Sequence, residues 1–315
     1  MAIYATGAAV GERESLADVI YRIDPDETPL FSNAKKETTK GVYHEWQVQE
    51  LAAAVDTNYV NEGADFSYVN PTATTRVGNY HQISVQAASV SNTLDVVDKA
   101  GRDKETAYVK VVKGLEQRRD INKSLYKNEA SSSSDPRKAG KLITWISNVD
   151  APSDMAAAAN GNGTAVADLT GTAAALTLAK IDAAMLAAYT DGGNPNMLLM
   201  SPTNKQNFSG LSSGSVATNQ ITTSAPQEAA IVGSVSLYLS DFGELSVTVD
   251  RSCPNSEMYL LDTDYVCIGS LPGRMMNVTD VAPGGDATRF GIVSEWTLIV
   301  KAPKAHAAVI GLNGS

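Results

Sequence analysis

Residues 52–79 are the stretch that most restricts how this chain can fold. They lie between two strand-like runs, 42–51 and 80–90, with turn signals at Asn61-Glu62-Gly63, Asn70-Pro71 and Gly78-Asn79. Their few apolar side chains, such as Val55, Phe66 and Val69, keep no period. A two-stranded hairpin alone is barely stable in water. Long connections without secondary structure are uncommon and usually functional. The expectation is a hairpin of 42–51 with 80–90, Ile83 and Val85 sharing one face, and a long tip that projects or lies on a neighbour.

The first 33 residues read as an arm. Ser15 is placed to cap a short helix with Asp18 three residues on, and Leu16, Val19, Ile20 and Ile23 form one stripe that Pro25 stops. Two helical turns do not hold in isolation, so the arm must dock. The strongest helix signal follows at Asp103–Asn128, about 40 Å at ~1.5 Å per residue. Tyr108, Val111, Val112, Leu115, Ile121, Leu125 and Tyr126 mark its apolar stripe, with Glu116 and Arg119 spaced to pair.

Leu142–Ile146 reads as a short strand. A second helix is expected over Thr177–Tyr189, then a buried strand at Met197–Met200 and a third helix capped by Ser201 with Pro202 at its first position. A Ser/Thr/Gly-rich linker, Gly210–Ser224, precedes strands at Val235–Leu239 and Leu245–Val249, joined through Asp241-Phe242-Gly243. Arg289–Val300 is the longest expected strand, with Phe290, Ile292, Trp296, Leu298 and Val300 on one face and Arg289, Glu295, Thr297 and Lys301 on the other. Ala305–Leu312 closes the chain as a last strand.

At 315 residues and 43% hydrophobic content the chain has room for about two domains and is not disordered. Its formal charge is −10, divided as −2 over residues 1–141 and −8 over 142–315. No consecutive block of Lys or Arg provides the electrostatic footprint of a tight nucleic-acid binder. No apolar run approaches the ~20 residues of a membrane span, and the first residues lack the pattern of a secretory signal. Cys253 and Cys267 cannot build a disulfide framework and read as two buried thiols, although flanking strands could bring them together.

Tests for chemistry are negative. His44, His81 and His306 have no metal-ligand spacing. Gly210-Leu-Ser212-Ser-Gly214 matches GxSxG, but that nucleophile turn must follow a strand and open a helix; here it follows a helix and enters a Ser-rich loop. Asp262-Thr-Asp264 reads as a solvated turn. No enzyme activity, cofactor or metal is expected. The parts are those of a subunit: a docking arm, a projecting hairpin, a stiff helix with strands, and a compact α/β unit.

Several motifs resemble the major capsid proteins of tailed bacteriophages. Gly11-Glu12-Arg13-Glu14-Ser15-Leu16-Ala17-Asp18-Val19-Ile20 and Thr28-Pro29-Leu30-Phe31-Ser32 resemble that family's N-terminal arm. Glu45-Trp46, Asn61-Glu62-Gly63-Ala64 and Arg76-Val77-Gly78-Asn79-Tyr80 continue the likeness through the hairpin. Ser240-Asp241-Phe242-Gly243, Arg251, Leu261-Asp262, Gly285-Asp286, Ser294-Glu295-Trp296-Thr297-Leu298 and Ala305-His306 carry it to the C-terminal end. The resemblance implies an α+β fold of the Hong Kong 97 type. Its parts would be an N-terminal arm (1–34), an extended E-loop (35–98), a peripheral domain with the spine helix (99–176), an axial domain (177–270) and further peripheral strands (271–315). It implies hexamers and pentamers closing into an icosahedral shell around double-stranded DNA, held without sequence-specific binding, in a virion assembled in the host cytoplasm. Implied partners are copies of the chain, a portal, and separate scaffolding or decoration proteins. The family's Lys–Asn crosslink site has no match here, and Leu271-Pro272-Gly273-Arg274 departs from the Leu-Arg-Pro run of relatives. Glu12, Arg13, Glu62 and Asp65 are the expected inter-subunit contacts, because their segments must leave the body. The net negative charge is expected to let the genome pack and leave freely. The competing readings are a viral decoration or tail protein and, on GxSxG alone, a serine hydrolase.

Overall fold

The computed structural model describes residues 20, 25–158, 161–215, 236–282 and 284–314, with backbone alone for 212–215. The expected helix over Ser15–Ile23, Ile20 excepted, lies outside the described residues, as do Glu12 and Arg13 and the linker beyond Ser215. In chain order the elements are α1 (Pro29–Asn33), β1 (Lys35–Thr38), β2 (Tyr43–Val48), β3 (Thr75–Tyr80), β4 (Gln82–Ser91), α2 (Asn92–Val96) and α3 (Glu105–Leu125). Then come α4 (Leu142–Trp145), β5 (Asn148–Asp150), α5 (Leu178–Thr190), β6 (Met197–Met200), α6 (Pro202–Ser215), β7 (Leu237–Ser240) and β8 (Gly243–Val249). The chain ends with β9 (Glu257–Leu261), β10 (Val266–Ser270), β11 (Asn277–Val281), β12 (Ala287–Val300) and β13 (Ala307–Ile310).

A five-stranded sheet forms around β12, which pairs with β10, β11 and β4, while β1 extends β10 in parallel. Helix α3 lies across it. The helix is shorter than its sequence suggests: 21 residues, about 31 Å at ~1.5 Å each. It starts at Glu105 because the Asp95 carboxylate, delivered by α2, accepts the Thr106 N–H at 2.9 Å and satisfies a donor that the first turn leaves free. That bond holds the Asp95 carboxyl below the usual range.

The buried stripe also differs. Gln117, Ile121, Asn122 and Leu125 are buried, whereas Val111 is exposed. The reason lies in β4, whose alternation is inverted. Ile83 and Val85 face outward and are exposed, while Ser84 and Gln86 face the helix. Gln117 donates to the Ser84 carbonyl at 2.9 Å, and Gln86 donates to the Asp120 carboxylate. A polar strand face thus selects polar helix positions. Glu116 pairs with Lys113 at 2.6 Å rather than with Arg119.

Strand β12 keeps its expected apolar face, but its opposite face is covered as well. Glu295 is buried between Arg137 and Arg274, at 3.1 and 3.0 Å, and Thr297 donates to the Tyr80 carbonyl at 3.0 Å. Leu142–Ile146 is a correction: Leu142–Trp145 makes one helical turn, closed by Thr144 N–H on the Lys141 carbonyl at 3.0 Å. A short apolar run buried on all sides has no period to separate strand from helix.

A six-stranded sheet, ordered β5-β13-β9-β6-β8-β7, forms the second layer system. Its central strands, β6, β9 and β13, are buried throughout. Here β13 lies between β5, from the segment 99–176, and β9, from the segment 177–270. Helices α5 and α6 cover one face through Ile181, Met185, Ala188 and Phe208. Ser201 caps α6 as expected, its Oγ accepting the Asn204 N–H at 3.2 Å. The GxSxG residues fall within α6 instead of in a loop, so no strand-to-helix turn presents Ser212. Two residues, not three, join β7 to β8, and Gly243 already pairs with Ser240. Cys253 and Cys267 are free and buried.

His81 and His306 are fully buried, and burial pushes both down to about 4. The unfolded chain therefore binds protons near pH 6.5 that the folded chain refuses until about pH 4. Stability is complete above pH 6.5 and falls as pH drops through that window, by about 1.4 kcal/mol per pH unit per histidine. His306 Nδ1 accepts the Asp262 N–H at 3.1 Å, a role that an asparagine oxygen can take. His306→Asn should therefore reduce the steepness of the acid limb by one proton in urea titrations between pH 6.5 and 4.

Candidate assembly surface

The hairpin is built by β2 with β3, in register from Tyr43–Tyr80 to Val48–Thr75. The expected partner, 80–90, is displaced because His81 ends the ribbon. Its N–H donates to the Val42 carbonyl at 2.8 Å, and its Nε2 lies 3.0 Å from Thr39 Oγ1. The base is firmly held. Trp46 packs on Trp145 at 5.1 Å between ring centres, and Tyr43 packs on Tyr80 at 4.4 Å. Asn79 is fully buried; its amide donates to the carbonyls of Gly140 and Leu298, at 3.1 and 2.7 Å, and accepts the Gly140 N–H at 2.7 Å. Gly78 permits the close approach, because a Cβ there would stand 2.7 Å from Tyr43 Cζ and 2.8 Å from the His44 carbonyl oxygen. Gly78→Ala should cost about 1–3 kcal/mol through overpacking, measurable as a lowered urea midpoint.

Beyond the base the tip buries almost nothing. Leu51, Val55, Tyr59, Val60, Phe66, Tyr68 and Val69 are all exposed, the last three at 82, 90 and 87%. So many large apolar groups on one extension mark an interaction site. The sequence pointed to Val55, Phe66 and Val69 but missed Leu51, Tyr59, Val60 and Tyr68, whose only signal was their presence in an aperiodic segment. Glu62 and Asp65 are exposed on the same tip and make no ion pair among the described residues. Glu62 sits in a turn closed by Ala64 N–H on the Asn61 carbonyl at 3.1 Å, with Gly63 at φ +80°. Among the described residues the structure brings these two carboxylates to no basic partner.

A second anchored element lies where the arm meets the body. Leu30 and Phe31 of α1 are buried, and the Phe31 N–H donates to Asn122 Oδ1 of α3 at 3.0 Å. Arg118 reaches Thr28 Oγ1 at 3.2 Å. Lys36 stands 3.7 Å over the Phe31 ring, and burial lowers its ammonium to about 8. Asn122 in turn donates to Asp250 Oδ2 at 2.8 Å, as Tyr126 does at 2.7 Å, while Asp250 Oδ1 accepts the Ser252 N–H at 2.8 Å. One buried carboxylate thus ties α3, the loop after β8 and α1 together. No spacing in the sequence signals this junction. Elsewhere, the outward face of β4 exposes Ile83 and Val85, and the edge strand β7 exposes Leu237 and Leu239. Among the described residues no group of His, Cys, Asp and Glu could hold a metal, and no helix is long and apolar enough to cross a membrane. The Asp262-Thr-Asp264 turn is structural, with Asp262 Oδ1 accepting the Asp264 N–H and Asp264 pairing with Lys35 at 2.8 Å.

A body with anchored but uncovered extensions matches known proteins along its full length. The family model described as SU10 major capsid protein matches residues 3–313. The chain belongs to this family. A curated relative, the major capsid protein of Escherichia phage Phieco32, is 30% identical over 120 residues, covering 38% of this chain and 34% of that one. The matched stretch is thus about a third of the relative's length. Among solved structures, the Cyanophage A-1(L) capsid asymmetric unit superposes with a TM-score of 0.67 at 15% identity, covering 98% of both chains. The capsid of a native GTA particle gives 0.61 at 14%, covering 97% of this chain and 96% of that one. The chain thus belongs to the SU10 major capsid protein family and has the α+β capsid fold expected from its motifs.

Proposed function

We propose that this chain closes with copies of itself, as hexamers and pentamers, into an icosahedral virion shell around double-stranded DNA. The tip and the arm lay their apolar groups on neighbours. The observation that carries this reading is the hairpin tip, which exposes seven large apolar side chains on a firmly anchored base and belongs to a chain whose family match runs nearly end to end. Residues 1–34 act as the arm, 35–98 carry the E-loop and 177–270 supply most of the axial unit. Glu12, Arg13, Glu62 and Asp65 contribute polar contacts at the rims of those interfaces. The subunit has no catalytic role, assembly takes place in the host cytoplasm, and a portal with separate scaffolding or decoration proteins completes the particle. Many modest contacts repeated over the shell hold it by multivalency. Negative-stain microscopy of the expressed chain should show capsomers or closed particles of megadalton size. A monodisperse, fully ordered monomer would instead favour the decoration or tail reading.

A further inference from the structure

The chain as a whole is acidic, at −10, yet residues 104–127 hold seven Lys and Arg against three Asp and Glu. Several of these cations are used internally. Lys110 pairs with Asp280 at 3.0 Å, Lys113 with Glu116, and Arg118 with Thr28. Arg119, Lys123 and Lys127 are different. They are exposed, and among the described residues none makes a side-chain hydrogen bond or ion pair. Lys127 is near Glu129, but that carboxylate is already taken by Lys138 at 2.9 Å.

Arg119 and Lys123 stand four apart on α3, each two positions beyond the buried Gln117 and Ile121 and so on the side away from the sheet, and Lys127 follows four positions later, just past the C-cap Tyr126. The row spans about 12 Å at ~1.5 Å per residue, the axial length of three to four phosphates on one strand at ~3.4 Å each. A groove of about 340 Å³ runs beside it, lined by Lys123, Ser124, Tyr126, Lys127, Ser252 and Pro254, with Asp120 as its one acidic wall residue. Asp120 is engaged by Gln86, and the exposed Arg251 precedes Ser252 in the opposite wall. A helical row of cations escapes a search for consecutive basic residues, although its field is as local.

We infer that Arg119, Lys123 and Lys127 form a sequence-independent contact for the phosphate backbone of double-stranded DNA, on the surface that the shell turns toward its contents. This deepens the shell reading and rests on it. Three phosphate contacts make the binding weak and steeply salt-dependent, so the genome is positioned but not held. Contact with phosphates alone carries no base preference.

The test uses the full chain dispersed as subunits or capsomers, with a short fluorescent duplex of mixed sequence followed by anisotropy. Three contacts give a slope of log K against log salt of about −2.7, or about 40-fold weaker binding at 200 mM than at 50 mM. Lys123→Gln should reduce the slope by about 0.9, and the triple change R119Q/K123Q/K127Q should bring it close to zero. A control of equal charge, K35Q/R76Q/K301Q, alters cations that are paired on other surfaces and should keep the slope. Equal losses in both triple variants, or a wild-type slope shallower than about −1, would overturn the inference. So would tight binding of polyglutamate with none of the duplex, which would assign the row to an acidic protein. Loss of particles in micrographs bears on the shell reading alone, so the two failures remain separate.

Discussion

A subunit carrying Phe66→Asp, Tyr68→Asp and Val69→Asp should fold with unchanged stability and form no particles. The side chains are 82, 90 and 87% exposed in the isolated subunit, so their replacement removes no internal contact, and surface changes of this kind stay within about 0.5 kcal/mol. In the proposed shell the same groups would be covered by neighbours. Each large apolar side chain contributes roughly 1.5–3 kcal/mol when taken out of water, and a carboxylate in its place adds a desolvation cost. The loss would recur at every subunit contact. Urea denaturation of the dispersed subunit and sedimentation of the assembly reaction read the two effects separately. If the triple variant still yielded closed particles at the wild-type concentration, the tip would not be an assembly element.

Asp250→Ala has the opposite profile, acting first on the fold. It strips the acceptor from Asn122 Nδ2, the Tyr126 hydroxyl and the Ser252 N–H, where Asn122 is fully buried and Tyr126 nearly so. A buried donor left without a partner costs about 1–3 kcal/mol, which for three gives on the order of 3–5 kcal/mol after partial relaxation. At about 2–4 °C per kcal/mol for large domains, the melting temperature should fall by roughly 10 °C. Asp250→Asn keeps the shape and one acceptor and should lose less. The Asn122 amide, no longer oriented by the carboxylate, also loses its hold on the Phe31 N–H. Hydrogen exchange at Phe31 should therefore accelerate more than exchange in the centre of β9, and uniform acceleration would show that Asp250 does not act on the arm junction.

The parts of the fold that were readable from sequence carry a local signal of their own. Helix α5 shows one buried stripe, β12 alternates over a long run although both of its faces are covered, β6 is a short apolar run bounded by turn residues, and the Ser201 cap follows from local hydrogen bonding. The misreadings fall where an apolar run has no period or where the buried face is polar. Leu142–Trp145 is surrounded and so has no face. Strand β4 was legible as a strand, but it turns Ser84 and Gln86 rather than Ile83 and Val85 toward the helix, which displaces the expected stripe of α3. The pairing of β2 with β3 depends on His81 reaching Thr39, a contact across 42 residues. The candidate assembly surface was visible as a segment with too little to bury. The arm junction was not, because Asn122 and Asp250 stand 128 positions apart and neither residue type signals a junction.

One apolar cluster runs through both sheets without a break, from Leu298 and Ile268 in the first to Leu199, Tyr259 and Ile310 in the second. A close-packed interior of that extent resists bending, which leaves no hinge between the two halves. In the proposed shell, five-fold and six-fold neighbours would meet at different angles while every copy kept the same stiff trunk. The difference in curvature would then be absorbed outside it, in the long connection between β2 and β3, where few internal contacts oppose a change of path.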